Sequence, residues 1–299
     1  MVFFLNAEGK IYARYGGRDS ENADNRQSLA GLFYTMNSVL QMHERDEKVF
    51  APTSGQTPKY LRDITGGKGM VRGCMHCHNI KETIHDSLQK AGKWHLDMVY
   101  RYPLPENVGV TLHVDQGNVV RAIKDKSPAS VAGLRPADIV RKLNGVPIHS
   151  FGDAQYALDR APKTGTIDIA WQRREEIHEA KLTLEGTWRK TDVSWRGSVR
   201  YLVPYARLYG IDMTGDEKKA IGLSPKQLAF RQKDNVPKQA QEAGIRPGDI
   251  IIGIDEQFLE TDVDGFLRHV RGNYLIGDKA KIHIIRDGKR MDLTMVFLP

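Results

Sequence analysis

The chain has 299 residues, of which 40% are hydrophobic and 27% are charged, and its formal net charge at pH 7 is +7. This composition is typical of a globular protein and excludes a largely disordered one, and the length allows two or three domains. Basic residues are interspersed with acidic ones, so no cationic run indicates a nucleic-acid or membrane surface. No apolar run reaches the roughly 18 residues that span a bilayer, and no signal peptide is recognisable.

The first predicted elements are a hairpin and a helix. Residues 2–16 form two apolar strands around a turn at Glu8-Gly9, and residues 28–43 follow as a helix with apolar side chains along one side. Those side chains are Leu29, Leu32, Phe33, Met36, Val39 and Leu40. This order resembles the C-terminal half of a thioredoxin fold and implies a partial thioredoxin-like α/β segment over residues 1–50. Because a hairpin and one helix bury too little surface to stand alone, either further chain precedes them or they pack against the rest.

The two cysteines of the chain, Cys74 and Cys77, lie in the pentapeptide Cys-Met-His-Cys-His. This spacing is that of the attachment motif of c-type haem, in which both thiols form thioethers and the following imidazole ligates the iron. We therefore expect a covalent haem c on Cys74 and Cys77, with His78 as the proximal ligand of the haem iron. The motif lies in a small helical segment, residues 51–103.

The distal ligand of that iron is expected to be Met98 or His95, which follow a predicted helix at residues 84–91. His85 is a poorer choice because it would share the face of His78 on one continuous helix, and an open or water-filled sixth position is an alternative. Three other interpretations of the motif stay open. It forms a dithiol–disulfide couple, it holds zinc together with His78, His85 or His95, or its cysteines have no function.

A repeated turn marks the last two thirds of the chain. Residues 132–140 read AGLRPADIV and residues 243–251 read AGIRPGDII. In each copy a short helix is predicted to end at the glycine, and the aspartate of the turn can accept hydrogen bonds from nearby amides. An apolar strand, an amphipathic helix and a hairpin follow in both copies.

This order of elements resembles the PDZ domain, in the circularly permuted form attached to bacterial envelope proteases. The resemblance implies two PDZ domains, at residues 104–187 and 204–299, each a partly open β-barrel with two helices. PDZ domains take up a peptide as an added strand beside a loop whose amides bind its terminal carboxylate. The residues that match this loop, and are expected to bind peptide, are Val108, Gly109 and Val110 in the first copy and Tyr209, Gly210 and Ile211 in the second. Alternatively, either glycine is a β-bulge in a domain that has lost its groove.

Residues 188–203 are predicted to be a linker with two tryptophans, Trp188 and Trp195. These side chains either pin the two domains together or form an aromatic and basic surface for a partner. No protease nucleophile loop, P-loop, dinucleotide-binding glycine motif or HExxH sequence occurs, so no motif supports an enzymatic activity.

The segments together predict an α+β, multidomain protein that resembles a group of bacterial envelope fusion proteins. The expected function is non-proteolytic: two PDZ domains bind peptide or protein C-termini, and the haem serves electron transfer or redox sensing, with a redox partner and no nucleic acid. The expected location is the periplasm or cell envelope, and a start placed too late would explain the missing signal peptide. The alternative is a pure PDZ scaffold whose CxxC works as a thiol–disulfide or zinc site.

Overall fold

The computed structural model describes residues 1–47, 77–191, 196, 199 and 202–298, and for Cys77 and His78 it describes the backbone alone. The chain divides into two units: unit 1 contains the described parts of residues 1–59 and 100–195, and unit 2 those of 60–99 and 196–299. Both units mix helices with antiparallel sheets, which confirms the predicted α+β class. Among the described residues, no helix combines the length and apolar character needed to cross a membrane.

Unit 1 begins with the predicted hairpin and helix. Strands β1 (Val2–Leu5) and β2 (Ile11–Tyr15) pair antiparallel, with Gly9 at a φ of 75° in the turn between them. Helix α1 (Leu29–Glu44) starts after Ser28, whose Oγ accepts a hydrogen bond from an amide of the first turn. The piece packs against the rest of unit 1 through β2 and α1, which is one of the two alternatives expected for it.

The buried side of α1 differs from the predicted apolar side. The helix buries Gly31, Thr35, Val39 and Met42. Four of the six predicted apolar residues are exposed instead: Leu29, Phe33, Met36 and Leu40. The reason is close backbone packing, since a Cβ atom added to Gly31 would lie only 2.4 Å from the carbonyl oxygen of Val114. A small residue therefore determines which side of the helix faces the protein.

The remainder of unit 1 contains six strands and two short helices. A two-stranded sheet and a four-stranded sheet of order β6-β5-β7-β8 are bridged where Val119 pairs with Ile139, and they enclose one apolar core. The elements are β3 (Val110–Leu112), β4 (Val120–Ile123), α3 (Pro128–Val131), β5 (Ile139–Leu143), β6 (Val146–Pro147), α4 (Phe151–Asp159), β7 (Gly165–Arg173) and β8 (Glu176–Leu184).

Unit 2 repeats most of this order in one sheet of order β13-β12-β11-β10-β9. Helix α2 (Cys77–Lys90) also belongs to this unit. The other elements are β9 (Gly210–Asp212), α5 (Gly215–Ala220), β10 (Phe230–Gln232), α6 (Lys238–Glu242), β11 (Ile250–Ile254), α7 (Val263–Asn273), β12 (Lys279–Arg286) and β13 (Lys289–Val296). Ahead of β10, Leu228 and Ala229 are fully buried, and the carbonyl oxygen of Ala229 accepts from the amide of Met213 just beyond β9.

The tryptophan assigned to the linker belongs to unit 1. Trp188 lies in the apolar core of that unit, and its Nε1 donates to the carbonyl oxygen of Lys163 at 3.0 Å. Arg189 follows it and donates to the carbonyls of Leu158 and Ala161, so unit 1 extends past residue 187. Trp195 lies outside the described residues.

An ion pair closes the repeated turn in each unit, and the two pairs have the same geometry. Arg173 donates to both carboxylate oxygens of Asp138 at 2.8 Å and to the carbonyl oxygen of Gly133. Arg286 donates to both oxygens of Asp249 at 2.7 Å and to the carbonyl oxygen of Gly244. The predicted hydrogen bond from a backbone amide to each aspartate is also present, so each carboxylate joins the turn to the closing hairpin.

We expect Asp249→Ala to lower the free energy of unfolding of the full chain by about 2–3 kcal/mol, because it removes two hydrogen bonds from Arg286 and leaves the amide of Arg246 without its partner. Asp168→Ala is the control, since its pair with Lys181 is largely exposed and is worth less than about 1 kcal/mol. Urea unfolding followed by fluorescence measures both values. Equal losses for the two variants would contradict the role assigned to the turn.

Buried polar contacts hold β2 against α4 in unit 1. The fully buried carboxylate of Asp153 accepts from the amides of Arg14 at 2.9 Å and His149 at 3.2 Å. Ser150 donates its hydroxyl to the carbonyl oxygen of Arg14, and the Arg14 guanidinium lies 3.6 Å from Asp153. Burial raises the pKa of Asp153 to about 7, although these donors and the guanidinium lower it.

This raised pKa predicts that unit 1 loses stability as the pH rises from about 4 to about 7. In this window folded Asp153 retains a proton that the unfolded chain has released, so increasing pH favours unfolding. The difference in unfolding midpoint between the wild type and Asp153→Asn should therefore change across the window. Asp168→Asn serves as the exposed control. Parallel pH profiles for the wild type and Asp153→Asn would rule out this protonation.

Candidate peptide-binding site

The repeated turn gives the register that relates the two units. The carbonyl oxygen of Asp138 accepts from the amide of Val120, and that of Asp249 accepts from the amide of Gln232. Val120 and Gln232 are therefore equivalent, and their partners across the next ladder are Leu112 and Gly210. Three residues before these partners lie Gly109 and Arg207.

Gly109 ends a short 3₁₀ turn, Pro105–Val108, and has a φ of 91°. Its amide and that of Asn107 donate to the carbonyls of Glu106 and Leu104 within this turn. A Cβ atom at Gly109 would lie 2.0 Å from Ser127 Oγ, so local packing alone requires glycine here. The three predicted residues, Val108, Gly109 and Val110, do lie together at the start of β3.

In unit 2 the counterpart of Gly109 is Arg207 and not Gly210. Arg207 has a φ of 48° and is exposed between buried Ala206 and buried Leu208, just as Gly109 lies between two buried valines. Gly210 lies three residues further on, in strand β9, where a Cβ atom would lie 2.0 Å from the ring of Phe230. Tyr209, Gly210 and Ile211 therefore belong to the groove strand and its approach, not to the loop before it.

Strand β9 presents a free edge within the described part of unit 2, where it is the last strand of its sheet. Met213 donates to Ala229 and Lys233 donates to Tyr209, so the odd-numbered residues face β10. The amides and carbonyls of Gly210 and Asp212 consequently point away from β10. An extended peptide could pair with this side of the strand.

Helix α7 lies beside the same edge. At its start, the amide of Val263 donates to Asp212 Oδ1 at 2.9 Å. Near its end, the guanidinium of Arg271 lies 5.6 Å from the ring of Tyr205. Leu267 is four residues from each and lies on the same face, partly buried against the core. One face of α7 and the edge of β9 thus form the two walls of a groove.

Helices α4 and α7 hold equivalent positions but differ in exposure. Their N-caps are Ser150 and Asp262, so residues 151, 155 and 159 correspond to residues 263, 267 and 271. Seven of the nine residues of α4 are buried, whereas only two of the eleven residues of α7 are. Among the described residues, the groove wall of unit 1 is therefore much more buried than that of unit 2.

The predicted haem residues lie only partly within the described chain. Cys74 lies outside it, and α2 begins at Cys77, so His78 and His85 share one helix as the sequence argument assumes. His85 is buried and packs edge-on against Trp94, with ring centroids 4.4 Å apart.

The two predicted distal ligands lie beyond α2. His95 is exposed, with its Nδ1 3.6 Å from an oxygen of Asp97, and Met98 ends the 3₁₀ turn Leu96–Met98. Within the described ranges, no three His, Cys, Asp or Glu side chains come together in a way that could hold a metal ion. The haem ligands and the zinc alternative therefore stay predictions.

Sequence reasoning missed Arg207 and the face of α7 that contains Leu267. The loop motif predicts a glycine and therefore selects Gly210. The apolar residues on either side of Arg207 nevertheless match the two valines on either side of Gly109.

Comparison with known proteins assigns the fold of part of unit 1. A family model described as PDZ domain matches residues 119–173, from β4 into β7. The chain is 28% identical over 146 residues to a Haemophilus influenzae protein named "Probable periplasmic serine protease do/HhoA-like"; the match covers 49% of this chain and 29% of that protein. The chain thus spans less than a third of the length of this curated relative.

Two solved structures are similar to parts of the chain. One is titled "HtrA-type protease AlgW with tripeptide", with 19% identity, a TM-score of 0.31 and coverage of 56% of this chain and 55% of that one. The other is titled "HtrA-type protease AlgW with decapeptide", with 18% identity, a TM-score of 0.29 and coverage of 40% and 36%. From the family match and the curated relative, we conclude that the chain contains a PDZ domain of the type found in HtrA-like proteases.

Proposed function

We propose that the protein is a peptide-binding module whose working site is the groove between β9 and α7, and that unit 2 is a second PDZ domain. The observation that supports this most directly is the outward-facing backbone of Gly210 and Asp212 beside the Leu267 face of α7. A peptide that adds a strand to β9 would satisfy these backbone groups, which is how PDZ domains hold their ligands.

The chemistry of the groove favours a peptide with a free C-terminus. Arg207 lies in the loop before β9, Arg271 lies at the end of α7 nearest that loop, and a guanidinium can bind a carboxylate through two hydrogen bonds. A terminal carboxylate would sit at this end, and the side chain of the last peptide residue would contact Leu267. The rest of the peptide would run antiparallel to β9.

Leu267→Asp should weaken binding of C-terminal peptides to the full chain by about tenfold or more, because it places a charge where an apolar side chain is expected to be buried. Arg268→Ser, the next residue on the exposed side of α7, is the matched control and should bind like the wild type. An array of peptides with free and amidated C-termini, followed by titration of the best binder, measures both effects. Equal binding by the two variants would contradict the proposed site.

We further propose that the CxxCH segment holds haem c through Cys74 and Cys77, with His78 on the iron and Met98 or His95 as distal ligand. The support is the donor set of the pentapeptide, two thiols and an adjacent imidazole, together with the start of α2 at its second cysteine. When bound, the haem would supply one-electron redox chemistry for electron transfer or sensing at a docked partner.

This haem proposal has a direct chemical test. Expression with a cytochrome c maturation system should give a pyridine haemochrome spectrum of the c type, and Cys77→Ser should convert one of the two thioethers to an unreacted vinyl group and shift the spectrum. His149→Ala, a histidine outside the motif, is the control and should keep the wild-type spectrum. Purified protein without a haem band would favour the alternatives, a dithiol–disulfide couple or zinc, which thiol titration and metal analysis separate.

The cell envelope is the proposed location, supported by the name of the curated relative and by the CxxCH motif. The thioredoxin-like origin of the N-terminal hairpin and helix also stays a proposal, supported by the order β1, β2, α1.

A further inference from the structure

We infer that the peptide groove of unit 1 is closed by the chain's own N-terminal segment, residues 15–31, so that this PDZ domain is self-occluded. The inference rests on the proposed peptide-binding function of this fold. It differs from that function in saying which of the two grooves a peptide can reach. Four sets of contacts within unit 1 carry it.

The first set covers the helix wall. Phe151, Gln155 and Asp159 of α4 stand where α7 has its groove face. A Cβ atom at Gly17 would lie 2.7 Å from the Phe151 ring and 2.5 Å from Gln155 Oε1, so the segment passes directly over both residues. Gln155 also donates through Nε2 to the carbonyl of Arg18 at 3.4 Å.

The second set covers the rest of this wall and comes from Arg101 and Tyr102, which precede the 3₁₀ turn. Gln155 Nε2 donates to the carbonyl oxygen of Tyr102 at 3.0 Å, and Asp159 accepts from the amide of Tyr102 and from the guanidinium of Arg101. All three positions of the wall are therefore engaged by residues of the same chain.

The third set covers the strand edge. Val114 lies two residues beyond the end of β3, and its carbonyl oxygen lies 2.4 Å from the position that a Cβ atom on Gly31 would take. The backbone of α1 at Gly31 packs directly on this oxygen, and Ser28 at the start of α1 donates to Asp115 at 2.6 Å. An incoming strand would find this end of the edge occupied.

Between the two walls only a remnant of the groove is left. A cavity of about 10 Å³ is lined by Leu112 and His113 on the strand side and by Phe151 on the helix side. Its remaining lining includes Tyr15, Gly16 and Arg26 of the N-terminal segment. This volume is too small for any peptide side chain, because a single water molecule needs about as much.

The last set holds the segment in place. Arg26 lies 5.1 Å from the Phe151 ring, and its guanidinium pairs with Glu106 at 2.8 Å and with Asp19 at 3.3 Å. Glu106 belongs to the 3₁₀ turn that leads into Gly109, so one arginine ties the segment to both sides of the groove. Since the segment is part of the chain, a free peptide competes with an occupant at high effective concentration.

The test uses the full chain and hydrogen–deuterium exchange, with a pool of decapeptides that have free C-terminal carboxylates and apolar last residues. The opening variant is Gly17→Val combined with Gln155→Leu: the valine cannot fit over Phe151, and the leucine matches Leu267 of unit 2. Gly215→Ala is the control, because a Cβ atom there meets only an ordinary contact at 3.5 Å. Arg26→Glu, which repels Glu106, is a second opening variant in case the first does not fold.

In the wild type and the control we expect the peptides to slow exchange at residues 210–212 and not at 110–112. In an opening variant, residues 15–31 should exchange faster and the peptides should slow exchange by about tenfold at residues 110–112 as well. Slowing at 110–112 in the wild type would overturn the self-occlusion and leave the proposed function intact. A variant in which residues 15–31 exchange faster, but the peptides still do not slow exchange at residues 110–112, would overturn the self-occlusion as well. Absence of slowing at 210–212 would overturn the proposed site in unit 2, whereas a response at 110–112 confined to the variant would still support self-occlusion.

Discussion

The arginine–aspartate pair that closes the repeated turn is the constraint on which both units depend. In each unit one carboxylate accepts two hydrogen bonds from an arginine of the closing hairpin and one from an amide of the turn. The carbonyl of that same aspartate fixes the register of the groove strand's partner, at Val120 in one unit and at Gln232 in the other. The position of each loop and each groove edge follows from this register, and the glycines alone do not determine it.

The same turn accompanies two different helix walls, because side chains outside the turn differ. On the helix wall, unit 1 has Gln155, which donates to two backbone carbonyls, and Asp159, which accepts from a backbone amide. Unit 2 has Leu267 and Arg271 at these positions, and its helix stays largely open. A polar helix wall can form hydrogen bonds with the backbone of a segment that stays bound, whereas an apolar wall can contact the side chain of a ligand that binds reversibly.

The sequence predicted the repeated turn, the strands β5 and β11 and the hairpins, because each has a local signal in glycine, proline or alternation. It did not predict which side of α1 is buried, since that depends on one close approach at Gly31 and not on the pattern of apolar residues. It misplaced the second loop because an arginine can also adopt a left-handed conformation where glycine is usual. Contacts that join residue 14 to residue 153, across most of unit 1, have no local signal at all.

The closed wall of α4 also determines the valency of the molecule. If the groove of unit 1 is filled from within, as inferred, and unit 2 binds peptide, as proposed, the described residues would offer a partner one working groove, and the repeated elements would give no avidity. Release of the N-terminal segment would turn a monovalent protein into a bivalent one without any change in either fold. A partner with two free C-termini, such as a dimer, would then be held far more tightly than either terminus alone.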